Sequence, residues 1–186
     1  MSSAVKLDRR VVKTRKAIHQ AFLTLFYSRD MESITINEIA DLADVNRGTV
    51  YLHYSDKYDL LDTLIEEHIQ NMIGFCDPDS QTRIRDELVP LFEYLKEHSD
   101  FFSAMLTTSK SLMFRKHLTT IISANMKSKL DRNPPSGTDI PIELQAQFMT
   151  SAFVGMIEWW IEQKMSNSPK YMATQIEKLF ESGYKD

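Results

Sequence analysis

Between Thr35 and Lys57 the chain gathers side chains whose chemistry is hydrogen bonding to anions and base edges rather than bond making: Thr35, Arg47, Thr49, Tyr51, His53 and Lys57. Hydroxyl, phenol, imidazole and ammonium donors suit phosphate oxygens, and a guanidinium can bond a guanine edge bidentately. Their spacing fits two short helices. Thr35 stands three residues before Glu38, a capping-box pattern, just ahead of Ile36, Ile39, Ala40 and Leu42. The break Asp44-Val45-Asn46 follows, and Asn46 can cap a second helix that opens at Arg47. Ala40 falls where crossing helices need a small side chain, and Val45 and Val50 fall where the second helix must bury apolar groups against the first. The pattern predicts a helix-turn-helix that leaves Arg47, Thr49, Tyr51, Leu52 and His53 on or near the side a major groove would face. Gly48 would let the helix backbone come close to that groove.

Catalysis finds little support. His19, His53, His68, His98 and His117 have no metal-site spacing, and no phosphate loop or nucleophile elbow is present. Neither a cofactor nor a metal is expected, and His68 and His98 read as surface or capping residues. Cys76 stands alone, which excludes an internal disulfide framework and fits a reducing cytoplasm. No apolar run is long enough for a membrane span, and the polar, basic start lacks a signal-peptide core, so a cytoplasmic protein with no membrane partner is expected.

The net charge of −4 alone argues against a nucleic-acid binder, but its distribution does not. Residues 1–57 carry +2 and the remainder −6, and Lys6, Arg9, Arg10, Lys13, Arg15 and Lys16 face only Asp8 within the first sixteen positions. A positive head on an acidic body suits a protein that meets phosphate at one end.

The elements that must hold these groups read as helices throughout. Only five Gly and six Pro in 186 residues favour long helices over a strand sandwich. Ile18, Ala21, Phe22, Leu25 and Phe26 mark one face of a helix over 9–28; shorter helices follow at 36–43 and 47–54, and a longer one from about 57 to 74. Beyond a turn at 76–80, helices are expected at 80–97, with Pro90 as a kink, at 99–106, 110–131, 141–165 and 168–181, with a loop at 133–139. The fold class is all-α with about nine helices: a three-helix DNA-binding domain over 1–55 and a helical regulatory and dimerisation domain over 56–186.

The stretch Ala40, Asp44-Val45, Tyr51-Leu52-His53-Tyr54 and Lys57 resembles the DNA-binding domain of the TetR family of transcriptional regulators. One position departs: the family usually has Gly where this chain has Asp44, because the turn backbone often needs positive φ, which Asp tolerates. The resemblance implies phosphate contacts for Thr35, Tyr51, His53 and Lys57, base reading by Arg47 and Thr49, and further phosphate or minor-groove contacts from Arg9, Arg10, Lys13 and Lys16. It implies a homodimer on palindromic double-stranded operator DNA, with repression the commoner mode.

Within 141–165, Ser151, Gly155 and Trp159 recur every fourth residue, beside Phe148, Ala152 and Met156, and small residues allow close helix approach. With Ile176, Leu179 and Phe180 of the last helix they are the expected dimer surface, a four-helix interface between two copies. Phe102, Met105, Phe114, Met149, Phe153 and Trp160 line an apolar effector pocket or form ordinary core. Glu158 is the acid to watch as a polar anchor. The end of the chain, Phe153 to Trp160 and then Ser168-Pro169, faintly resembles regulators of dihydroxyacetone kinase operons, some of which answer to a partner protein instead of a small hydrophobic effector. An adaptor that binds protein and no longer binds DNA is the other alternative.

Overall fold

A helix begins where its first N–H groups find a partner and ends where the backbone can no longer continue, and both rules are visible along this chain. The computed structural model describes residues 9–75, 83–107, 111–132 and 139–182. The expected turn with Cys76, the first eight residues and most of the expected loop at 133–139 lie outside them. Among the described residues nine α-helices occur: α1 (Arg9–Ser28), α2 (Ile36–Leu42), α3 (Arg47–Tyr51), α4 (Lys57–Gly74), α5 (Ile84–Glu97), α6 (Ser99–Thr107), α7 (Ser111–Arg132), α8 (Ile142–Glu162) and α9 (Pro169–Ser182). A single 3-10 turn, Met31–Ser33, joins α1 to α2. None of these helices is long and apolar enough to cross a membrane.

The chain forms two compact units, Met1–Glu67 and His68–Asp186. The division falls inside α4 rather than at the expected 55/56. α4 stays tied to α1 as far along as Glu67, whose carboxylate accepts a hydrogen bond from Arg15 at 2.7 Å.

In the first unit α1 buries Ile18, Ala21, Phe22 and Phe26, with Phe22 stacked on Phe26. α2 starts on a complete capping box: Thr35 Oγ1 accepts from the Glu38 N–H, and the Glu38 carboxylate accepts from the Thr35 N–H. Asn46 Oδ1 accepts from the Gly48 N–H at 2.8 Å and starts α3. Between them Asp44 takes φ 54°, the left-handed conformation expected at this turn. α3 ends at Tyr51, three residues earlier than the periodicity suggests, where the His53 N–H tightens onto the Val50 carbonyl three residues back at 3.0 Å.

In the second unit α5 lies along α9 and α7 along α8. Phe92 packs edge-on against Trp160 and Phe153, and the fully buried Trp160 donates its indole N–H to the Asn167 carbonyl at 3.2 Å. α8 ends before its apolar pattern does. Lys164 and Met165 adopt φ of 53° and 50°, and the Met165 N–H closes the helix on the Trp160 carbonyl. His68 is buried rather than at the surface, stacked on Phe101 at 3.9 Å, with its Nδ1 2.7 Å from the Tyr94 hydroxyl; His98 does cap α5.

Candidate nucleic-acid interface and effector cavity

The recognition helix presents its donors outward because its apolar side is used up. Val50 and, just beyond the helix, Tyr54 are buried, whereas Arg47, Gly48, Tyr51 and Leu52 are exposed and Thr49 and His53 half-buried. Leu52 is 82% exposed, a large apolar side chain with nothing to cover it within the protomer. Arg47 Nη2 donates to the Tyr51 hydroxyl at 3.1 Å, and the guanidinium lies 5.3 Å from that ring's centroid. One helical turn separates the two, so Tyr51 holds the guanidinium over the exposed face. Arg9 and Arg10 lie exposed at the start of α1.

Two expected phosphate ligands are otherwise engaged. The Thr35 hydroxyl donates to Glu38 Oε2 at 2.8 Å, and its backbone N–H bonds the same oxygen at 2.9 Å. What Thr35 leaves for an anion is the N-terminal end of α2 beside it, not its own hydroxyl proton. Arg29, which donates to Glu38 at 2.9 Å, and then the Thr35 cap hold the Glu38 carboxyl below the ordinary carboxylate range. Lys57 directs its ammonium at three backbone carbonyls, Met31 at 2.8 Å, Glu32 at 3.0 Å and Ile34 at 2.9 Å. Those three bonds match the three donors of an ammonium.

Behind the recognition helix lies a polar network that sequence reading missed. Arg15 Nε donates to the Tyr54 hydroxyl at 3.2 Å, and that hydroxyl lies 2.6 Å from His19 Nε2. With the guanidinium on its oxygen, Tyr54 gives its own proton to His19, which is therefore neutral and protonated on Nδ1, 3.7 Å from Glu67. Burial first, then the charges of Arg15 and His53, push the His19 imidazole down to about 4. Burial raises the Tyr54 phenol. The folded state thus favours neutral His19. Its contribution is complete above about pH 6.5 and is lost as pH falls toward 4. With the ring 15% exposed, a loss of about 2 kcal/mol is expected after discounting for solvent access. Urea melts of the chain and of His19→Gln at pH 7 and 4.5 measure it; an imidazole that titrates near 6.5 by NMR would refute it.

The second unit holds a partly open cavity of about 260 Å³ lined from α4, α5, α7, α8 and α9. Of the six residues named for a pocket, Met149 and Phe153 line it. Phe102, Met105, Phe114 and Trp160 do not; they are buried in aromatic packing, where Phe101, Phe102 and Phe114 meet within 6.3 Å of one another. Three polar residues that had not been singled out, Glu87, Asn125 and Lys129, stand in the wall. Glu87 shares the buried face of α5 with Leu88 and Leu91, which is the signal that could have found it. Glu158 is no free anchor: it pairs with Arg115 at 2.6 Å.

The expected dimer surface divides. Ser151, Gly155 and Trp159 are exposed on α8, in line with Leu144 and Phe148, and Leu179 is exposed on α9 with Tyr171. Ile176 is 2% exposed inside the protomer, so it cannot meet a second copy, and Phe180 turns to the cavity wall. The amphipathic α9 spends those two on its own unit, because α5 already covers one of its faces.

Comparison with known proteins gives two family matches. Residues 18–64 match the model of bacterial regulatory proteins of the tetR family, and residues 82–182 match a transcriptional regulator C-terminal region. The HTH-type transcriptional regulator YxbF of Bacillus subtilis is 24% identical over 171 residues, 87% of this chain and 43% of that one. The HTH-type transcriptional repressor BepR of Brucella suis is 40% identical over 53 residues, 28% of this chain and 25% of that one. The chain thus spans less than half the length of these curated relatives. Among solved structures, the dihydroxyacetone kinase operon activator DhaS superposes with a TM-score of 0.66 at 19% identity, covering 93% of this chain and 97% of that one.

Proposed function

The chain belongs to the TetR family of bacterial transcriptional regulators, and we propose that it works as a homodimeric repressor that leaves its palindromic operator when a small apolar effector fills the cavity of the second unit. The observation that carries DNA recognition is the outward face of α3, where Arg47, Tyr51 and Leu52 stand exposed on a helix fixed from behind by Val50 and Tyr54. Arg47 reads a base edge once it leaves Tyr51, Thr49 supports it, and Gly48 keeps the approach open. Tyr51, His53 and the α2 N-terminus beside Thr35 hold phosphates, and Arg9 and Arg10 add contacts from α1. Lys57 supports this surface from inside. The apolar cavity favours a small ligand over control by a partner protein, because a protein partner docks on a surface and needs no such recess.

Selection of bound duplexes from random DNA tests the reading. A recovered palindrome whose affinity falls steeply with salt supports a dimeric operator binder; no enrichment at any salt concentration would overturn it. On that operator, Arg47→Ala is expected to cost about 1–3 kcal/mol and to relax selectivity at one base position. Equal losses on every DNA would remove Arg47 from the role of base reader.

A further inference from the structure

Among the described residues the cavity wall is apolar apart from Glu87, Asn125 and Lys129. These three gather at one place. Asn125 and Lys129 lie one turn apart on α7, and the Lys129 ammonium donates to the Glu87 carboxylate from α5. The carboxylate side chain is 9% exposed and the ammonium side chain 27%, so the pair is largely withdrawn from water. The site therefore offers a long apolar surface with one polar spot, and that spot is already neutral in sum.

We infer that the effector is an uncharged amphiphile, an apolar body with an oxygen acceptor at one end that takes a hydrogen bond from the Lys129 ammonium; the inference rests on the reading of this cavity as the effector site. A charged head would fare worse for a physical reason. A carboxylate at Lys129 requires a second anion beside Glu87, and an amine at Glu87 requires a second cation beside Lys129, so either one brings an extra charge to a spot largely withdrawn from water. A hydroxyl, ketone, ester or amide oxygen requires neither. The ammonium carries three donors and gives one to Glu87, so an acceptor can join the pair without breaking it. The Asn125 amide, one turn away on the same helix face, adds a polar neighbour for the same oxygen or its hydrogen.

The test uses the full chain and ligands of equal chain length, 1-nonanol, nonanoate and nonylamine at pH 7, each competing with the neutral fluorophore N-phenyl-1-naphthylamine. The fluorophore is expected to bind, Met149→Trp to abolish its binding by filling the cavity, and nonanol to displace it at a concentration at least about tenfold lower than either ion. In Glu87→Leu/Lys129→Met, which removes both charges together so that neither is stranded, the fluorophore should still bind. Nonanol should lose about tenfold there, and thermal melting confirms the fold. Displacement by nonanoate or nonylamine as good as by nonanol overturns the inference and leaves the cavity as an effector site. A fluorophore that fails to bind, with no shift in melting temperature from any of the three ligands, overturns the effector reading itself and the inference with it.

Discussion

Gly155→Leu is expected to convert the protein to monomers and to weaken operator binding by about a thousandfold, while the protomer folds as well as before or slightly better. Within the protomer nothing stands within 4 Å of where a Cβ on Gly155 would be, and the residue is exposed in the middle of α8. Replacing a mid-helix glycine there removes backbone entropy from the unfolded chain and should gain about 0.5–1 kcal/mol. Any loss must therefore come from something outside the protomer.

The surroundings of Gly155 say what that is. Leu144, Phe148, Ser151, Gly155 and Trp159 follow one another at steps of three or four residues, so they form one stripe. Phe148 is 70% exposed and Leu144 60%, too much apolar surface in one line to be explained as scattered exposure. The small residues at 151 and 155 would let a partner helix approach at that point, and a leucine side chain would hold it off. A dimer reads two half-sites about 34 Å apart, so a monomer keeps one half-site and loses the tethering of the second. That tethering, worth about 10²–10⁴ in affinity, sets the size of the loss. Light scattering after gel filtration, thermal melting by circular dichroism and operator titration check the three parts separately. A Gly155→Leu protein that stays dimeric at micromolar concentration would place the interface elsewhere.

What could be read from the sequence divides along a physical line. The helix-turn-helix is legible because its rules are local: a capping box needs Thr35 and Glu38 three apart, a cap needs Asn46, and a left-handed turn residue limits the choice at Asp44. The end of α3 was not legible, since Leu52 to Tyr54 continue a helical pattern and the tightening of the His53 N–H onto the Val50 carbonyl leaves no mark in residue type. The cavity was legible only as a class of residue. Phe102, Trp160, Met149 and Phe153 are equally apolar in sequence, and nothing local tells which of them faces a void and which a neighbour. Ile176 and Leu179 differ by less than a turn of α9, yet one is core and the other exposed. The Glu87–Lys129 pair joins residues 42 apart, and no periodicity announces it.

Lys57→Met, finally, is expected to destabilise the DNA-binding unit by about 2–4 kcal/mol and to leave the salt slope of DNA binding unchanged. A lysine in the first turn of α4 sits at the positive end of the helix dipole, where a cation is disfavoured, so something must offset it. The three carbonyls of Met31, Glu32 and Ile34 do so, and all belong to the turn that delivers the chain to Thr35 and the start of α2. The methionine keeps the apolar stem and removes the ammonium, leaving those partly buried carbonyls without their charged donor. Binding to every DNA should then weaken by one common factor as the unit loosens, and added stabilising osmolyte should restore it. Counterion release distinguishes this from a direct phosphate contact. Losing one phosphate-bound cation lowers the slope of log affinity against log salt by about one, whereas an internal lysine contributes nothing to that slope. Melting curves and operator titrations at several salt concentrations, for Lys57→Met beside the unmutated chain, decide between them: a normal melting temperature with a shallower slope would return Lys57 to the DNA backbone.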